Sequence, residues 1–210
     1  MALAERVDRR RVRTRAALLR AGHALFAERS VDGVSIDDIV ACADVAKGSF
    51  YNHFPDKDAL AREVAAEVRG AVEARVAALN ADVGDPAEQV ARAVCFFARQ
   101  AAEHPEPAGV MLRLFPGAGV PDAPMNRGVR AAVQAGLAAG RFQGLPLEAA
   151  VLMAVGVVQI AVSRGLQKPA GVQALARDLA FGLLRGLGTA EEQAREIAAR
   201  AAAEVFAPHS

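Results

Sequence analysis

Cysteine is scarce: Cys42 and Cys95 are the only two among 210 residues. They fall in separate predicted helices without metal-ligand spacing, so neither a disulfide framework nor a metal centre is expected, and a reduced, cytoplasmic setting follows. Strict apolar–polar alternation is rare too, which argues against strands and for an all-α chain rich in alanine. Neither sign of charge is in excess. The 25 basic and 24 acidic residues leave a net +1, too little for a general polyanion binder. Long apolar runs are missing. The longest, Val151 to Val162, contains Gln159 and is shorter than a bilayer span, so no membrane partner is expected. The N-terminus has no apolar stretch of signal-peptide type and carries Glu5 and Asp8. No glycine-rich phosphate loop or paired-carboxylate site stands out. Cys95 with His104 or His53 is the one conceivable nucleophile–base set, and Cys95 lies in an apolar helical stretch that reads as core. An enzyme is therefore not expected, and no cofactor is implied.

What is present is concentrated near one end. Arg6, Arg9, Arg10, Arg11, Arg13, Arg15 and Arg20 crowd the N-terminus, a basic arm suited to phosphates or the minor groove. The segment Ser35–Phe54, SIDDIVACADVAKGSFYNHF, reads as a helix, a tight turn and a second short helix. Ser35 with Asp38 three residues on forms a capping-box variant, and Ile36, Ile39 and Val40 share a face. Asp44 occupies the turn, where Asp tolerates the left-handed conformation better than most residues. Phe50 and Phe54, four apart, should bury together. Lys47, Gly48, Ser49, Tyr51, Asn52 and His53 are left on or near the free face. Small residues there cost helix stability but let a backbone approach base edges.

The stretch LFAERSVDGVSIDDIVACADVAKGSFYNHFPDKDAL, Leu25 to Leu60, resembles the DNA-binding domain of the tetracycline-repressor (TetR) family of bacterial transcriptional regulators. KGSFYNHFPDKDAL is its most specific part. Two positions depart from the family pattern: Asp44 stands where Gly is usual, and Ala46 where Ser or Thr is common, which removes a cap from the reading helix. The resemblance implies that Lys47, Gly48 and Tyr51 meet base edges, and that Ser35, Ser49, Asn52, His53 and Lys57 touch phosphates. It also implies a homodimer on a double-stranded DNA operator, with a small-molecule effector bound in the body. The expected division is residues 1–55 as the helix-turn-helix DNA-binding domain, with a mobile arm over 1–13, and residues 56–210 as the ligand-binding and dimerisation domain.

The rest of the chain supplies that body. Asp56 caps a long helix over about 57–80, striped by Val64, Val68, Val72 and Val76, a natural lever between the two halves. Asp85-Pro86 starts another helix, and Pro116 to Pro124 is the loosest linker. Thr189 with Glu192 reads as a capping box for the last helix. Segments 146–166 and 171–187 are apolar around much of their circumference and carry small residues, among them Gly156, Gly165, Gly182 and Gly186. Paired with a second copy they would make a four-helix interface. Phe97, Met111, Phe115 and Met153 are the expected apolar lining of a ligand pocket. Gln159 would either hold a polar ligand group or bond across the dimer, and Arg113 would favour an anionic ligand if its head turns inward. The rival reading is a helical small-molecule-binding protein that does not bind DNA.

Overall fold

The computed structural model describes residues 2–114 and 126–208, with the side chains of 2–8 left out of the description. Among them are ten helices and no strand. The first is α1 (Ala2–Glu28). Its N-terminal part corrects the expectation of a mobile arm: the basic stretch continues as helix, because the arginines are good helix formers and no Gly or Pro interrupts them. Next come α2 (Ile36–Ala43), α3 (Lys47–Tyr51) and α4 (Lys57–Leu79).

The Ser35 capping box is formed at the start of α2, with the Ser35 hydroxyl accepting from the Asp38 amide and the Asp38 carboxylate accepting from the Ser35 amide, both at 3.0 Å. Asp44 ends α2 in the left-handed conformation, φ 53°, alone among the described non-glycine residues. Ala46 at the start of α3 gives no side-chain cap. Phe50 and Phe54 are buried with ring centroids 5.9 Å apart, and with Leu18, Phe26, Ile39, Leu60 and Val64 they form one core.

The body contains α5 (Pro86–Glu103), α6 (Pro105–Leu114), α7 (Arg127–Ala138), α8 (Leu147–Gln167), α9 (Val172–Gly186) and α10 (Glu191–Val205). Its axis is α5, which packs on α7, α8, α9 and α10. Asp85 caps α5 through the Ala87 amide and holds Arg141 by two bonds of 3.0 and 2.9 Å. That guanidinium, more than the cap, keeps the Asp85 carboxyl below the usual carboxylate range. The last helix corrects another expectation. Ala190 occupies its N-cap without a side-chain bond, and the Thr189 hydroxyl is buried with no partner among the described residues instead of capping.

The small residues of α8 and α9 divide between two tasks. A Cβ on Gly165 would come within 2.8 Å of the Ala98 carbonyl, so that glycine lets α8 close on α5 inside the monomer. Gly156 and Gly182 face open space. The apolar run noticed in the sequence belongs to a longer element. α8, at 21 residues with mean hydropathy 1.8 over its most apolar stretch, is long and apolar enough to cross a membrane, yet it packs on α5, α7 and α9. Only 39% of that stretch is buried, and Ile160 is 55% exposed.

The two halves meet chiefly through α6. It lies on α1 and α4, whereas α4 makes far less contact with α5. Val110 of α6 is buried in the N-terminal core. Gly109 makes the approach possible, since a Cβ there would stand 2.5 Å from the Ala27 carbonyl oxygen.

Candidate nucleic-acid interface and body cavity

The reading helix owes its presentation to one buried anchor. Phe50 is fully buried, which turns the opposite face of α3 outward. Lys47, Gly48, Tyr51 and Asn52 are exposed, and Ser49 and His53 are half-buried. A Cβ on Gly48 would meet nothing within 4 Å among the described residues, which leaves room for a nucleic acid to approach. Tyr51 is 53% exposed and is steadied edge-on against the Phe50 ring at 5.5 Å. A large aromatic held rigidly in solvent has no role in the core and suits a thymine methyl.

Charge around α3 is arranged but not free. Lys47 pairs with Asp37 at 2.8 Å, and that carboxylate raises the lysine pKa. A DNA phosphate would therefore exchange with Asp37 rather than meet a bare ammonium. Lys57 is turned inward: its ammonium donates to the carbonyls of Val31 at 2.9 Å and Val34 at 3.1 Å. Those carbonyls at the α1–α2 turn hold the ammonium that the resemblance assigns to a phosphate. His53 is held below the ordinary histidine range, first by burial and then by Arg11 and Arg15. Arg15 also lies over the Phe54 ring, 5.4 Å from its centroid. The basic face of α1 thus stands beside the reading helix.

The predicted pocket residues separate. A cavity of about 470 Å³ lies between α4, α5, α6, α7, α8 and α9, with Phe97, Met111, Leu112 and Gln159 in its wall. Met153 is not there; it lies over Gly186, within 3.0 Å of where a Cβ would be, at the α8–α9 contact. Arg113 is also elsewhere. Its guanidinium donates to the Ala27 carbonyl at the end of α1, so it fastens the body to the DNA-binding half instead of receiving an anion. Phe115 falls outside the described residues, as does the Pro116–Pro124 linker. Sequence reading missed most of the polar wall: Asn80 at the end of α4, Gln89 on α5 and Asn126 before α7, together with Arg69 and Glu73 of α4 and Arg127 of α7. The one signal was an amide at the end of a valine-striped helix. Cys95 is fully buried and its thiol is pushed up to about 12 by desolvation, so it supplies no thiolate nucleophile at neutral pH.

An exposed five-residue helix on a buried aromatic anchor, flanked by arginines and joined to a cavity-bearing helical body, defines a helix-turn-helix regulator. Comparison with known proteins agrees. Residues 18–64 match the family "Bacterial regulatory proteins, tetR family", and residues 85–200 match "Tetracyclin repressor-like, C-terminal domain". The chain belongs to the tetR family of bacterial regulatory proteins, whose members are transcription factors and generally not enzymes.

Fifty residues are 46% identical to the HTH-type transcriptional repressor DhaR of Mycobacterium sp. (strain GP1), 24% of this chain and 25% of that one. The match thus spans about a quarter of that relative's length. The structure of RolR with resorcinol bound is 29% identical, with TM-score 0.65, covering 92% of this chain and 96% of RolR. A gamma-butyrolactone receptor at 21% identity shares the fold, with TM-score 0.69, over 93% of this chain and 99% of its own.

Proposed function

We propose that the protein is a dimeric repressor that holds a palindromic operator with two copies of α3 and releases it when a small molecule fills the body cavity. The observation that carries this reading is the outward face of α3, with Tyr51 in solvent and nothing over Gly48. Lys47, Gly48 and Tyr51 would read base edges, while Ser35, Ser49, Asn52 and His53 would lie against phosphates. The half-covered α8, with Ile160, Gly156 and Gly182 on its open side or that of α9, supports pairing with a second copy. Such pairing would set the two reading helices about one DNA turn apart, roughly 34–36 Å. The repressor function of DhaR and the resorcinol held by RolR both favour a ligand-released repressor. A mostly apolar cavity with amides in its wall, its charged Glu73 and Arg127 paired with each other at 3.9 Å, suits a phenolic ligand of that kind.

Selection of bound sequences from random DNA, followed by titration of the selected site at several salt concentrations, tests the proposal. Operator affinity should fall steeply with salt as phosphate contacts release counterions. Lys47→Ala with Tyr51→Ala should abolish operator binding while fold and dimer persist. A flat salt dependence, or full binding by the double variant, contradicts the reading.

A further inference from the structure

A second cavity of about 290 Å³ lies at the junction of the two halves, between α1, α4, α5, α6 and α8. Its floor is apolar, with Val68, Phe96 and Val162 among its residues. Its rim is polar, with His23 bonded to Glu67 at 3.0 Å and Arg75 to Gln100 at 2.9 Å. Three side chains stand in the walls of both cavities: Val72, Phe97 and Met111. They are the divider. None of the three is fully buried, and Met111 has three rotatable bonds and an adaptable thioether.

Two amides of the larger cavity, Asn80 and Gln89, stand at the end away from that divider. Asn80 lies eight residues from Val72 along α4, and Gln89 eight residues from Phe97 along α5. At the helical rise, both amides sit about 12 Å from the divider. They sit together, since the Gln89 amide donates to the Val83 carbonyl and the Val83 amide donates to the Asn80 carbonyl. The Asn80 side-chain oxygen is buried without a partner among the described residues. Val76, Val90, Val94 and Val158 give the walls between the two ends an apolar stripe, beside which Arg69, Gln159 and the solvent-exposed Glu73–Arg127 pair also line the cavity.

We propose that the effector is an elongated amphiphile, its hydroxylated head at the Asn80–Gln89 end and its alkyl chain running past Phe97 and Met111 into the cavity between the two halves. The inference rests on the reading of the body cavity as the effector site. It also assigns the chain a task. Met111 shares α6 with Gly109 and Arg113, the residues seated on the end of α1. A chain that displaces Met111 pushes the helix that holds the DNA-binding half, and a ligand too short to reach it occupies the cavity without that push.

A calorimetric series with 4-alkylresorcinols, ethyl to octyl, tests this on the full-length protein. Affinity should rise about three- to fourfold per methylene through octyl, the gain for a chain that stays buried. Ala71→Phe, which fills only the second cavity, should cut octyl binding at least tenfold and leave ethyl binding unchanged. Ala132→Phe, which fills only the first, should weaken every homologue. If affinity stops rising at short chains, or Ala71→Phe spares the octyl homologue or weakens ethyl equally, the elongated ligand is overturned and the effector cavity stands. If no homologue binds, both the chain assignment and the effector cavity are overturned.

Discussion

Single side chains set the quality of the DNA-facing surface. Ala46 is extended, φ −68° and ψ 145°, the backbone of an N-cap, yet it has no oxygen to offer the free amides of α3. Ala46→Ser should add about 0.5–2 kcal/mol of stability in denaturant titrations and should tighten operator binding through an extra phosphate donor. His53 is the histidine of the DNA-facing surface. Burial, Arg11 and Arg15 lower its pKa in the folded protein, so the unfolded chain binds the proton more readily. Its contribution to stability is therefore complete above the unfolded value of about 6.5 and is lost as pH falls below it towards the folded value. Operator phosphates act the other way by favouring the imidazolium. Binding should then take up a proton, and operator affinity measured between pH 8 and pH 6 should rise as pH falls. His53→Gln should flatten that profile.

At the scale of elements the controlling contact is α6 on α1. α4 has the length of a lever, but it touches α5 little, while α6 reaches the end of α1 with Gly109, Val110 and Arg113. The Ala27 oxygen that faces Gly109 is backbone and cannot give way as a flexible side chain would. Gly109→Ala should therefore destabilise the protein by about 1–3 kcal/mol. Gly70→Ala makes the contrast, since Gly70 lies within α4 with open space around it. That substitution should add about 0.5–1 kcal/mol. Urea melts of the two variants separate a packing role from helix propensity, and equal shifts would contradict it.

For the whole molecule the coupling is between pairing and grip. In the proposed dimer, α8 and α9 of two chains hold each other and turn two weak half-site contacts into one strong contact. Ile160→Arg puts a charge on the open apolar side of α8, where Ile160 is 55% exposed. Sedimentation should then show a monomer, and operator affinity should fall on the order of a hundredfold or more through lost bivalency. A ligand that favours another arrangement of α6 against α1 needs a coupling of about 1–3 kcal/mol to loosen DNA several-fold to a hundredfold, and DNA must weaken ligand binding by the same factor.

Local rules carried much of this protein in its sequence alone. The Ser35 capping box, the left-handed Asp44, the missing cap at Ala46 and the burial of Phe50 with Phe54 each depend on neighbours within a few residues, and each could be read without coordinates. The stripe period and the Asp–Pro start likewise placed most helices, because amphipathic spacing and first-turn chemistry act within one helix. Only the tertiary structure decided where polar and small side chains point. Arg113 found a carbonyl 86 residues away, Lys57 one 26 away, Gly165 a neighbouring helix and Met153 a glycine on α9. The cavity wall that holds Asn80 and Asn126 joins six separate helices. Such contacts are chosen by how helices pack, and a helix's own sequence states which face is apolar without stating which neighbour will cover it.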